Sequence, residues 1–221
     1  MSDYTSKNKD YFTNIREDII SLIPNNPSQR ILEIGSGAGD TLVAIKDRKL
    51  ANKCVGVELM QVENSNQKNP IIDEFMFANI ETDELMFDKQ SFDLIICADV
   101  LEHLVDPWAI VEKLTPFLKL NGFFIISVPN IREIATLRKI IFLKDFQYDE
   151  KGGILDKTHL RFFCKKNAIE LMTTNQLKPI GYHPNYSRIP NHKRQLLNKL
   201  TLGLFSDLLT SQHLIVSQKI S

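Results

Sequence analysis

Short apolar runs alternate along the chain with longer stretches whose apolar positions recur every three or four residues. That rhythm predicts a mostly parallel sheet covered by helices. Phe12, Ile15, Ile19, Leu22 and Ile23 make one stripe over residues 11–23, a covering helix ended by Pro24 and Pro27. Strands are expected over 30–34 (RILEI), 53–59 (KCVGVEL), 74–78, 91–98 (SFDLIICA) and 123–128 (FFIISV). Residues 40–49 are the first crossover helix, and 107–120 read as a helix opened by Pro107 and closed by Asn121-Gly122. After Pro129-Asn130 the regularity lapses. Residues 131–143 are amphipathic, and 144–166 mix aromatics, charges and Gly152-Gly153 as a lid would. A helix over 167–176, a strand over 177–183, a helical stretch over 191–210 and a strand over 213–219 follow.

The first strand runs into "GSGAGD", residues 35–40. A strand, a glycine turn and a helix together aim backbone N–H groups and the positive end of a helix dipole at a ligand. Gly35, Gly37 and Gly39 make G-x-G-x-G, which is neither the dinucleotide fingerprint nor a phosphate loop with its G-K-[S/T]. Glu33, just before the turn, would repel a pyrophosphate and attract a cation, and Glu58, at the end of the second strand, can accept from both hydroxyls of a ribose. The ligand implied carries a ribose and positive charge and no phosphate.

S-adenosyl-L-methionine has that chemistry, and here the sequence resembles the class I S-adenosylmethionine-dependent methyltransferases. "LEIGSGAGD", "VGVEL", "MFANIE" and the run from Phe92 to Asn130 stand in the order of that family's motifs. The resemblance implies a Rossmann-like three-layer α/β sandwich with a seven-stranded sheet of order 3-2-1-4-5-7-6, its last strand antiparallel. It implies cofactor contacts from Glu33, Gly35, Ser36, Gly37, Gly39, Glu58, Leu59, Asn79, Ile80, Ala98 and Asp99. Asn79 stands where the family often has Asp, and a carboxamide can still meet an adenine amino group. One domain is expected: an N-terminal helical cover (1–29), a cofactor-binding half (30–130), a lid or substrate insert (131–166) and the rest of the sheet (167–221).

In an open parallel sheet the ligand lies at the carboxyl ends of the strands, which selects residues 99–106 and 128–130. Asp99, Glu102 and His103 are spaced to share one face of a helical turn. Glu102 and His103 either cover the cofactor or belong to a Mg2+-type site, since D-x-x-E-H resembles the E-x-x-E-H metal motif of ubiquinone-pathway and small-RNA-end O-methyltransferases, which add a later histidine. A second concentration of chemistry follows in "DKTHLRFF", residues 156–163, with Asp156, His159 and Arg161. His159 is a candidate general base, with His103 as the other catalytic candidate. Its alternative role is to anchor the lid, with Arg161 paired to Asp156. Asp156, Arg161 and Asn130 are candidate substrate contacts. Phe142, Phe146, Tyr148, Phe162 and Phe163 either stack on a sugar ring or pack the lid.

"DKTHLRFF" before a helix and a strand resembles methyltransferases encoded among bacterial surface-polysaccharide genes, which implies a sugar hydroxyl on a nucleotide sugar or glycan as acceptor. Methylation of a quinone precursor and a non-catalytic cofactor-binding scaffold are the competing expectations. Lys plus Arg and Asp plus Glu both number 27, so no global field draws nucleic acid. The basic run "NHKRQLLNK", residues 191–199, is expected to be a solvated surface or a patch that meets an anionic sugar nucleotide or the inner membrane surface. The polar start, strand-sized apolar runs and three scattered cysteines lead us to expect neither export nor a membrane span, and a cytoplasmic protein whose Cys54 and Cys97 are core residues.

Overall fold

A computed structural model describes residues 13–150, 152–186 and 192–221. Five strands run parallel: β1 (Arg30–Ile34), β2 (Lys53–Glu58), β3 (Glu74–Phe77), β4 (Phe92–Ala98) and β5 (Leu118–Pro129). Strand β6 (Leu177–Asn185) pairs with β7 (Gln212–Lys219), which is antiparallel to both β6 and β5. The order across the sheet is β3-β2-β1-β4-β5-β7-β6, as the family resemblance implied.

Alternation along the strands divides the interior into two layers. Leu32, Ile34, Val55, Ile95 and Phe124 face one way, toward α3 (Pro107–Leu114) and α5 (Lys165–Leu171). Ile31, Cys54, Leu94 and Ile125 face the other, toward α1 (Glu17–Ile20) and α2 (Asp40–Asp47). The central strands are buried on both faces and therefore read as unbroken apolar runs. Removing a fully buried Leu or Ile side chain from water stabilises by about 1.5–3 kcal/mol, so this double layer fixes where the strand ends lie.

Several boundaries differ from expectation. The helix expected over 11–23 is helical only at Glu17–Ile20, and residues 11 and 12 lie outside the described residues. Arg16 precedes it in a non-helical conformation (φ −82°, ψ 75°) with its guanidinium drawn inward to Asp99. The helix expected to reach Leu120 stops at Leu114. A single turn over Thr115–Phe117 carries Pro116, which cannot supply a helical N–H, and β5 begins at Leu118. Asn121 (φ 64°) and Gly122 then sit inside the strand, where the register against β4 shifts, rather than capping a helix. The helix expected over 167–176 is α5, which begins two residues earlier and ends five residues sooner.

After β5, α4 (Ile134–Phe142) is capped by Glu133, whose carboxylate accepts from the N–H groups of Ala135 and Thr136. The stretch 191–210 is two helices, α6 (His192–Leu200) and α7 (Ser206–Leu209), with residue 191 outside the described residues. Gly203 at φ 81° donates its N–H back to the carbonyl of Asn198 and ends α6, a glycine closure of the Schellman type.

Candidate active site

The glycine turn joins β1 to α2 with Gly35, Gly37 and Gly39 all at positive φ (70°, 52° and 86°). At Gly35 a Cβ would stand 2.2 Å from the γ-methyl of Val100, so both the backbone angle and the space require glycine. Ser36 is buried and donates its hydroxyl to the carbonyl of Glu33. Gly37 donates its N–H to Glu58 Oε2 at 2.7 Å, and Leu59 donates its own to Glu58 Oε1 at 2.7 Å. Glu58 thus stands across the turn, its carboxylate held by the N–H groups of Gly37, Leu59 and Met60.

Glu33 is 4% exposed on β1, and its Oε2 has no hydrogen-bond partner. Burial pushes its carboxyl up to about 8, against the nearby positive charge of Arg16. A buried carboxylate oxygen without a donor is costly, and a cationic ligand would relieve it. This supports the fit of an ammonium-bearing methyl donor at the turn. Asn79 and Ile80 follow β3. The Asn79 side-chain oxygen accepts from the Glu81 N–H and shapes its own turn, while Ile80 is buried and its carbonyl accepts from Lys113 Nζ.

Ala98 ends β4, and Asp99 follows at φ 57°. Asp99 does not share a face with Glu102 and His103. Its left-handed backbone turns it toward Arg16 Nη1 (2.6 Å), Ser127 Oγ (3.1 Å) and Gln212 Nε2 (2.6 Å). Arg16 also donates to Asp18 and Ser127, and these carboxylates raise its guanidinium further still above the normal range while burial opposes them. Arg16, Ser127 and Gln212 were missed at the sequence level. Arg16 and Asp99 are far apart in the chain, and no local pattern marks such a pair.

A single turn, Leu101–His103, follows Asp99 and Val100. The Leu160 and Arg161 N–H groups donate to the Glu102 carbonyl at 2.8 and 2.9 Å, and this laces the segment after residue 131 to the turn. His159 thereby comes beside His103, ring centroids 4.6 Å apart. His159 Nδ1 is 3.0 Å from the Ile154 carbonyl and His103 Nδ1 is 3.2 Å from that of Thr158. A carbonyl only accepts, so each Nδ1 is placed to donate its hydrogen, and His103 Nδ1 also lies 3.0 Å from the Thr158 hydroxyl. His159 Nε2 lies 4.0 Å from Glu102 Oε1, both side chains being almost wholly buried. Burial, with His159 next to it, pushes His103 down to about 4, so it is neutral near pH 7.

Two expected substrate residues are placed otherwise. Asn130 is fully buried, its amide donating to the Asp207 and Thr210 carbonyls and accepting from the Arg132 N–H, so it ties β5 to α7. Asp156 is 1% exposed and accepts from the N–H and hydroxyl of Thr158, which orders the loop that carries His159. Arg161 donates to the Val105 and Leu160 carbonyls, not to Asp156. Of the aromatics, Phe163 is a core residue, whereas Tyr148, Phe146 and Phe162 form a row of edge-to-face contacts (5.4 and 5.5 Å) that reaches His159 at 6.4 Å.

Residues 8–181 match a methyltransferase domain family. The chain belongs to the class I S-adenosylmethionine-dependent methyltransferases. It is 30% identical over 152 residues to the uncharacterized methyltransferase YcgJ of Bacillus subtilis, covering 67% of this chain and 56% of that one. It is 27% identical over 171 residues to a ubiquinone biosynthesis O-methyltransferase of Rickettsia prowazekii, covering 73% and 65%. The chain thus spans less than two thirds of the length of these methyltransferases. The crystal structure of YcgJ superposes with a TM-score of 0.61 at 21% identity, covering 92% of this chain and 97% of that one. A Haloferax volcanii methyltransferase complex with the Trm112 activator gives 0.65 at 16% identity, covering 96% and 92%. These likenesses carry the methyltransferase fold. No helix among the described residues is long and apolar enough to cross a membrane.

Proposed function

We propose that the protein transfers a methyl group from S-adenosylmethionine to a hydroxyl oxygen, with His159 as the general base. The observation that carries this reading is the placement of the His159 ring between the Ile154 carbonyl and the Glu102 carboxylate. Its Nδ1 faces the Ile154 carbonyl, which turns Nε2 toward the buried Glu102 carboxylate, 4.0 Å away. When bound, the donor supplies an electrophilic methyl group on a sulfonium. As the acceptor oxygen takes that methyl, the hydroxyl proton passes to His159 Nε2, and Glu102 stabilises the imidazolium that forms. Neutral His103 adds no positive charge to repel the donor. Glu33 receives its ammonium group and Glu58 its ribose hydroxyls, with the glycine turn, Leu59, Asn79, Ile80 and Ala98 around them; Asp99 positions Arg16.

The acceptor we favour is a sugar hydroxyl on a nucleotide sugar or surface glycan. The row Tyr148, Phe146 and Phe162 leading to His159 offers ring faces on which a sugar stacks. The similarity to ubiquinone biosynthesis O-methyltransferases favours a second acceptor, a phenolic quinone precursor. Incubation with labelled donor against both acceptor classes tests the reading. Label on a nucleotide sugar or lipid-linked glycan supports it, label on the phenol alone moves it to the second acceptor, and no label on either leaves the scaffold role.

A divalent ion is a further reading of the same residues. Single ligand atoms of Glu102, His103 and His159 lie within 4.8 Å of one another, and each histidine has its Nδ1 against a backbone carbonyl. Two imidazoles and one carboxylate suit Zn2+ or a similar borderline ion better than Mg2+, which takes oxygen ligands. Asp99, held by Arg16, is outside the group. Turnover unchanged by exhaustive EDTA treatment would dispose of the ion.

A further inference from the structure

We infer that α4 and α6 together form a face that docks the protein onto an anionic phospholipid bilayer. Helix α6 contributes no leucine to the core: Leu196, Leu197 and Leu200 are all exposed, and Leu204, 83% exposed, follows just past the turn that ends the helix. Helix α4 buries a single residue, Thr136, and leaves Ile141, Phe142 and Leu143 outside at 60%, 76% and 71%. The two helices are neighbours, because Arg194 of α6 pairs with Glu133 at the start of α4.

Along the two helices the charges are of one sign, with Glu133, paired to Arg194, and Asp145 at the edges of the α4 stretch. Arg138, Lys139, Lys144, Lys193 and Lys199 are exposed, and neither 134–144 nor 192–205 contains an Asp or Glu. The whole chain carries as many acidic as basic residues, so this face is basic against an otherwise acidic remainder. Large apolar tips among lysines and arginines suit the boundary between charged headgroups and acyl chains. A second copy of the chain would bring cations against cations, which disfavours pairing through this face.

Sedimentation with vesicles of equal parts phosphatidylglycerol and phosphatidylcholine tests the inference. The protein should pellet with these vesicles, remain in solution with phosphatidylcholine alone, and be released by high salt. Leu200→Glu with Leu204→Glu should lower the pelleted fraction about tenfold, and Lys193→Glu with Lys199→Glu comparably. All four positions are exposed, and an unchanged circular-dichroism melting curve verifies that the variants fold. Equal pelleting of variants and parent, equal pelleting on phosphatidylcholine, or no pelleting overturns the inference. So does a dimer by light scattering that the leucine variants dissociate, which would make a second copy the occupant.

Discussion

At the ends of β1 and β2, Glu33 and the glycine turn are held by strands packed on both faces and by backbone hydrogen bonds that the sheet register dictates. The side that carries His159 is assembled differently. His159, Asp156 and Phe162 sit on a segment without strands, laced to the turn after β4 by two N–H donations to the Glu102 carbonyl and flanked by α4, whose apolar residues are mostly exposed. The first region derives its geometry from apolar burial, the second from a small number of hydrogen bonds. A scaffold that holds one region through its strands and the other through a few backbone hydrogen bonds can vary the second without disturbing the sheet.

That contrast can be broken most directly at Gly35. Gly35→Val places a β-branched residue at φ 70° against Val100, and should cost about 3 kcal/mol or more by chemical denaturation while abolishing donor binding. If stability hardly moves, the donor side is less rigid than the packing implies. On the other side, His159→Ala should reduce kcat about a hundredfold and leave affinity for S-adenosylhomocysteine unchanged by calorimetry. Equal losses in both would make His159 structural and couple the two regions.

Glu33→Gln sharpens the comparison through pH. In the free protein the Glu33 carboxyl is held up at about 8, and a bound cation favours its ionised form. Binding below pH 8 therefore releases a proton, and affinity for S-adenosylhomocysteine, which keeps the ammonium group, should rise as pH increases toward 8 and level off above it. The glutamine variant should bind about tenfold more weakly near pH 8 and lose the slope between pH 6 and about 8. A parental profile without that slope would remove Glu33 from the ammonium site. The smallest effect belongs to the exposed surface: Phe142→Ser should shift unfolding free energy by less than about 0.5 kcal/mol, and a larger loss would show that α4 is packed more firmly than its exposure indicates.

Much of this architecture is legible in the order of residues, because a twice-covered strand must be apolar throughout and a glycine turn must be free of side chains. The strands β1, β2 and β4, the start of α2 and the positions of Glu33 and Glu58 follow from such local requirements. The errors fell where a local signal competes with a distant one. Pro116 ends α3 and releases Leu118 to pair with Phe92, so an apparent helix cap at Asn121-Gly122 became a strand irregularity. Arg16, which lies in an amphipathic pattern, is drawn from a helix toward Asp99.

The sequence by itself determined the layers, the strand order through its family motifs, and the chemistry of the donor turn, since burial and backbone conformation act over a few residues at a time. The tertiary structure alone decided which groups meet. It set Asp99 against Arg16 rather than beside Glu102, spent Asn130 and Asp156 on internal hydrogen bonds, and brought His159 to Glu102 and His103 from more than fifty residues away. Hydrogen bonds and buried charges are satisfied by whatever the fold brings within about 3 Å, and that distance carries no trace in the linear order of the chain.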